Sequence, residues 1–306
     1  MSVLKTALAH PSRMRGIFRY LLHAQGQREK RDVLERILSP DKLVEHLASE
    51  EKSKDKKPSH PMFNDAIRES IKCKLLIEEN EEVTINQNLP KDAINPQLGD
   101  KLLPDTFTYL FFNCDNEDEA DFGRVCAWYL AQDIYDAPGT WEEVENRVSE
   151  QKVGDFLKMS SSRLFVQMDD WMRYLGFAWG HTLGALGEKL VKVTVPDPTA
   201  YIKRNLKLLF NGQQEITIQD FINRLAKQCP LFETGKFREE VESQIGTRET
   251  NFLSTSTAFA LFRLHDEGDI QLERQSDSAF MILPKVNNKV DNDGRISHII
   301  LKGEKS

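Results

Sequence analysis

Residues 61–86 read PMFNDAIRESIKCKLLIEENEEVTIN, and the two halves of this stretch follow different periods. From Pro61 to Lys74, the apolar residues Phe63, Ala66, Ile67 and Ile71 recur at helical spacing. Pro61 suits the first turn, where its missing N–H costs nothing. From Leu75 the pattern changes. Leu75–Glu78 and Val83–Asn86 read as two short strands joined by a polar turn at Asn80. A helix running into a hairpin is the closing half of a winged helix-turn-helix, whose last helix enters the major groove while the hairpin rests on the backbone.

The opening half of that module lies upstream. Residues 12–24 (SRMRGIFRYLLHA) place Met14, Ile17, Phe18, Leu21 and Leu22 on one helical stripe, and Gly26 ends it. A second helix is expected over Arg28–Leu38, with Val33, Leu34, Ile37 and Leu38 as its apolar face and Pro40 closing it. Leu43, Val44 and Leu47 extend a helical turn toward a loop rich in lysine, Lys52, Lys54, Lys56 and Lys57.

The C-terminal third repeats the order. Helices are expected at Thr199–Phe210, Ile218–Gln228 and Ser254–Asp266, with Gly268 as a left-handed cap. The segment DIQLERQSDSAFMIL then reads as a second hairpin: Ile270 and Leu272 alternate, Ser276-Asp277-Ser278 turns, and Phe280 and Ile282 return.

Between the two patterns, residues 88–105 hold three prolines and a glycine and read as a linker. Beyond them, Phe107–Phe112, Phe122–Ile134, Thr140–Ser149 and Asp155–Phe177 read as helices, and Thr140 with Glu143 forms a capping box. All four tryptophans, Trp128, Trp141, Trp171 and Trp179, fall here, which marks a large core. Gly176, Gly180, Gly184 and Gly187 are spaced to let two helices approach closely. The fold class expected is therefore mainly α, with winged-helix modules at both ends flanking an acidic all-α middle. The corresponding domains are residues 1–90, a linker at 91–105, a helical domain at 106–192, and a second module with a tail at 193–306.

The chain has 306 residues, 41 Lys+Arg and 48 Asp+Glu, a net charge of -7. That charge is uneven: residues 1–74 carry +6, residues 75–192 carry -12 and residues 193–306 carry -1. A basic first quarter fits a polyanion-facing end; the alternative is that its lysine cluster is a solvated loop. The four cysteines and seven histidines are scattered without CxxC or zinc-ligand spacing, so reduced thiols, a cytoplasmic setting and no metal are expected. The most apolar stretch, Tyr174–Gly187, is shorter than a membrane span and contains His181, and the N-terminus makes a poor signal peptide.

Catalytic signatures are missing from the sequence. Asp118-Glu119-Ala120-Asp121 spells a helicase motif, but no GxxxxGK[ST] partners it; the Gly235-Lys236 pair has Pro230 where the first glycine belongs. GxSxG, HExxH, GxGxxG and EF-hand patterns do not occur either. Cys114 lies in an acidic run that raises a thiol pKa, and His181 and His265 read as satisfied helix histidines. Neither catalysis nor a cofactor is expected.

Nucleic-acid contact needs cations and small polar groups for phosphates, and exposed helix side chains for base edges. Asn64, Arg68 and Lys72 recur every four residues opposite the apolar stripe, and Lys74 follows. In the second pattern, Ser254, Thr255, Ser256 and Thr257 open the last helix, Arg263 lies on it and Arg274 sits in the hairpin. Four glutamates in the first hairpin, Glu78, Glu79, Glu81 and Glu82, oppose phosphate contact.

The opening MSVLKTALAHPSRMRGIFRYLL, the following VLERILSP and the ending STSTAFALFRLHDEGDIQLERQSDSAFMIL resemble the DpdG family. That family belongs to the bacterial Dpd gene cluster, which installs 7-deazaguanine derivatives in DNA and restricts DNA lacking them. The resemblance implies a role in restriction or defence beside partner proteins, and it carries over no catalytic residue. The function expected is a non-catalytic accessory subunit that binds double-stranded DNA, partner proteins or both. A stand-alone winged-helix transcriptional regulator and a purely protein-binding scaffold are the alternatives.

Overall fold

The computed structural model describes residues 3–6, 8–42, 60–113, 119–184, 190–285 and 294–303. The fold is mainly helical, with 12 α-helices and four small sheets among these residues. The chain forms two compact units, Met1–Asn116 and Glu117–Ser306. The division falls inside the stretch 106–192 read as one acidic domain, and the remainder of that stretch shares a unit with the C-terminal elements.

In the first unit, α1 (Pro11–His23) buries Met14, Ile17, Phe18, Leu21 and Leu22, the stripe its sequence spacing dictates. It is followed by β1 (Arg28–Lys30), α2 (Arg31–Leu38), α3 (Pro61–Lys72), β2 (Leu76–Glu79) and β3 (Glu82–Ile85). The expected second helix thus starts three residues late. Arg28, Glu29 and Lys30 instead pair antiparallel with Thr84, Val83 and Glu82, a long-range ladder that overrides the local helix pattern. The strand order is β1-β3-β2, so the last strand in sequence is the middle one. Asn80 and Glu81 both take positive φ, 51° and 65°, as the tight turn between β2 and β3 requires. Behind the sheet, Leu34, Phe63, Ala66, Ile67, Leu76, Val83 and Ile85 fill the core.

The proline-rich stretch is only partly irregular. After turns over 90–98, α4 (Gly99–Thr108) buries Leu103 and Phe107 and tolerates Pro104 inside it, leading into a π-helical turn, Tyr109–Asn113. Arg15 on α1 grips Asp100 with two bonds of 2.7 Å, so this helix is docked where a linker was expected. Leu43, Val44, Leu47 and the lysines at 52, 54, 56 and 57 lie outside the described residues.

The second unit opens with α5 (Ala120–Ala131), α6 (Trp141–Glu150), α7 (Gly154–Leu157) and α8 (Ser162–Leu175). The Thr140 and Glu143 capping box is present, and Trp128 and Trp171 are fully buried. The helix expected over Asp155–Phe177 is broken where Lys158 adopts a left-handed conformation. The glycine series does not pack helices. Gly176 caps α8 at φ 85°, and Gly180 lies in β4 (Trp179–Leu183), where a Cβ would stand 2.6 Å from Arg173 Cδ. Gly184 follows that strand, and Gly187 lies outside the described residues. β4 pairs with β5 (Val191–Val195), so the middle region is not all-α.

Next come α9 (Thr199–Phe210), β6 (Glu215–Thr217), α10 (Ile218–Gln228), α11 (Lys236–Ile245), α12 (Thr255–Asp266) and β7 (Ile270–Glu273), then β8 (Met281–Ile282), β9 (Arg295–Ile296) and β10 (His298–Leu301). The second hairpin is not the one expected. β7 pairs with β10, whose Ile299 is fully buried opposite Leu272, whereas Met281 and Ile282 pair with β9 in a separate ribbon. The resulting sheet has the order β6-β10-β7, again with the last strand in the middle. With α11 and the β8–β9 ribbon set aside, the run from α9 to β10 therefore shares with the run from α1 to β3 the order helix, strand, helix, helix, strand, strand and the same strand arrangement.

Candidate nucleic-acid interface

In the first unit the solvent side of α3 presents Pro61, Met62 and Arg68, while Asn64, Asp65, Ile71 and Lys72 are half-buried. Arg68 Nη2 lies 2.8 Å from Asp65 Oδ1, a surface pair that leaves the guanidinium largely in water. Asn64 is engaged: its Oδ1 accepts from Arg31 Nη2 at 2.9 Å, and Arg31 Nη1 also donates to both oxygens of Glu78. That brace ties the start of α2, the face of α3 and β2 together. Lys72 Nζ lies 3.7 Å from Glu69 Oε2, and buried Glu69 itself accepts from Thr6 Oγ1 at 2.9 Å. Lys74 is exposed at φ 63°, with its carbonyl held by Asn86 Nδ2. Of the four candidates, Arg68 and Lys74 face solvent and Asn64 and Lys72 are tied into the unit.

The hairpin is less acidic than its sequence suggests. Arg31 neutralises Glu78, and Arg28 Nη1 lies 3.5 Å from Glu82, leaving Glu79 and Glu81 at the tip. Counted over residues 1–116, Lys+Arg and Asp+Glu are both 18, so this unit is electrically balanced.

The second unit reverses the expectation for α12. Ser254, Thr255, Ser256 and Thr257 are 4, 8, 0 and 0 % exposed, so these hydroxyls are interior groups and leave the candidate surface. Ser254 caps the helix by accepting from Thr257 N, and both Ser254 Oγ and Thr257 Oγ1 donate to Glu233 Oε1. Thr255 Oγ1 accepts from Ile134 N at 2.9 Å. The opening turn, the part of a recognition helix that would meet bases, is covered by residues 130–136.

The remaining candidates lie at the far end. Arg263 bonds Glu267 and Asp197 at 3.0 and 2.9 Å, which keep its guanidinium firmly charged. Arg274 is exposed and stacks over the Phe280 ring. Of the two histidines, His265 Nδ1 accepts from Leu272 N. His181 is not on a helix: it stands exposed on β4 and stacks against Trp179.

Sequence reasoning missed a buried charge cluster beneath α12. Glu233, at a left-handed φ of 40°, is gripped by Arg248 as well as by the two hydroxyls. Burial alone would raise its carboxyl, but Arg248, Arg238, Ser254 and Thr257 overcome it and hold it at about 2. Arg238 is fully buried, 3.5 Å from Glu242. The one sequence signal was α11 itself, where Phe237, Val241 and Ile245 form a thin stripe among charges. Among the described residues, no group of three or more His, Cys, Asp or Glu is placed to hold a metal ion. Among them, too, no helix is long and apolar enough to cross a membrane.

A DpdG-like family model matches residues 1–278. The chain belongs to the DpdG-like family. No curated protein and no solved structure matches it. The family match ends between β7 and β8, so it takes in α3 and α12 and stops short of β10, the strand that completes the DpdG-like chain's second sheet. Membership links the chain to the Dpd system of DNA modification.

Proposed function

We propose that this DpdG-like protein is a non-catalytic, DNA-associated subunit of a Dpd modification and restriction complex, working in the cytoplasm in defence against foreign DNA. In this reading both units hold winged-helix modules. The first reaches duplex DNA with the exposed side of α3, and the second, with the start of its corresponding helix covered, serves protein contact. The observation that carries the reading is the difference between these two helices: Arg68 on α3 and Lys74 just beyond its end stand in solvent, whereas Ser254–Thr257 are interior. Arg68 suits a guanine edge or a phosphate, and Lys74 suits a phosphate.

Fluorescence anisotropy of labelled duplex and single-stranded DNA, at several salt concentrations, tests it. Duplex binding that weakens steeply with salt is the expected result. Failure to bind duplex at low salt sinks the DNA half of the reading. The acidic tip of the first hairpin, Glu79 and Glu81, favours a second reading in which this module too holds a basic protein surface.

A further inference from the structure

The β4–β5 ribbon has two unlike faces. On one, Arg173 lies across Gly180, Lys192 Nζ reaches Asp169 at 2.6 Å, and buried Thr194 donates to the same carboxylate. This lattice fastens the ribbon to α8. The register puts Trp179, His181 and Leu183 on the opposite face, across from Val195, Val193 and Val191. Trp179 is 53 % exposed, Leu183 51 % and Val191 45 %, and Leu190 at the ribbon's end is more exposed still. A contiguous aromatic and aliphatic face of this kind marks an interaction surface, and a solvent-facing tryptophan is a typical anchor of one. Among the described residues β4 pairs with β5 alone, so its other edge carries backbone groups open to a further strand.

Charge selects the occupant. Residues 117–306 carry 23 Lys+Arg against 30 Asp+Glu. Two described cations beside the ribbon are already committed: Arg173 lies 2.9 Å from Asp169 and 3.0 Å from Asp170, and Lys192 serves the same pair. Among the described residues, a phosphate backbone would meet only these committed cations of the ribbon lattice, on a unit of net negative charge. A positively charged protein segment would find both the field and the apolar cover.

We propose that the ribbon is a docking edge for an extended, basic segment of a partner protein, which adds as a strand beside β4 and lays alternate apolar side chains over Trp179 and Leu183. The inference rests on the subunit part of the reading above and is independent of its DNA part.

The test uses the full-length protein and a labelled peptide of about ten residues, the upper end of usual strand lengths, in which lysine alternates with valine or leucine. A control peptide of the same composition gathers its apolar residues into one block. The expected result is saturable binding of the alternating peptide, about tenfold weaker binding of the control, and a similar loss in the variants Trp179→Ser and Leu183→Lys. Both positions are exposed, so unchanged thermal melts check that the variants fold. Equal binding of the two peptides, unaltered binding by the variants, or no binding by the wild type would overturn the proposal. So would self-association that Trp179→Ser dissolves, which assigns the face to a second copy, or displacement of the peptide by oligothymidine, which assigns it to nucleic acid. Duplex DNA anisotropy on the same variants separates the readings: lost DNA binding in the wild type with peptide binding intact removes the DNA half alone.

Discussion

Ser256 Oγ donates to the Leu130 carbonyl across 2.6 Å, joining the first turn of α12 to the last turn of α5. The partners are 126 residues apart in sequence, and Ser256 is fully buried. Removing the hydroxyl strands a buried carbonyl oxygen. Ser256→Ala is therefore expected to lower the stability of the second unit by about 1–3 kcal/mol in denaturant unfolding while leaving DNA affinity unchanged. A loss of DNA affinity at undiminished stability would return α12 to the interface.

Arg68 and Lys72 are expected to separate experimentally although they share a helix. Arg68→Ala should reduce the salt dependence of duplex binding by about one phosphate equivalent, because its guanidinium is solvent-facing. Lys72→Ala should change that slope little, since the ammonium lies half-buried beside Glu69. Anisotropy titrations of the two single variants across a salt series check this, and equal effects would count against the geometry of α3.

Acid should unfold the second unit through Glu233. Its carboxyl ionises at about 2 in the folded protein, below the ordinary 4.5, so the folded state binds fewer protons than the unfolded one between those values. The resulting stabilisation is complete above pH 4.5 and is lost as pH falls toward 2. Glu233→Gln should flatten that part of the acid limb. At neutral pH the variant should be less stable by about 3 kcal/mol, because Arg248 and Arg238 lose the more deeply buried of their two counter-charges and keep only Glu242. Urea unfolding from neutral to acidic pH, on wild type and variant, reads both effects.

Gly235 is expected to tolerate no side chain. A Cβ there would stand 2.6 Å from the carbonyl carbon, Cα and oxygen of Pro230, all backbone atoms that cannot swing aside. Gly235→Ala should cost about 1–3 kcal/mol by overpacking. A thermal melt matching the wild type would show that the 230–235 turn can open.

Three of the four helices of the C-terminal third were legible because their apolar stripes and end residues agree: Thr217 and Ser254 cap α10 and α12, and Gly268 closes the latter, whereas α11 has only a thin stripe among charges. The partner of β7 was not. Phe280 and Ile282 alternate as well as Ile299 and Leu301 do, and local spacing cannot tell which pair a strand will meet. β1 was hidden for the same reason, since Arg28-Glu29-Lys30 becomes a strand only when β3 lies beside it. The candidate site was half legible. Helical period placed Arg68 outward correctly, but no period shows that another element lies over Ser254–Thr257, whose composition suits a DNA contact and an interior cap equally well. The exposed Trp179 face was missed because glycines at regular spacing were read as helical.

Placing β10 between β6 and β7 gives the order of synthesis a structural meaning. A ribosome delivers Glu215–Thr217 and Ile270–Glu273 well before His298–Leu301, the strand that joins them. Until then each holds an open edge in the nascent chain, a template for wrong partners. A chain halted near residue 295 would carry every described helix of the second unit and still lack the strand that closes its sheet, so chaperone demand and proteolysis during production should concentrate on the interval before residues 298–301 are made.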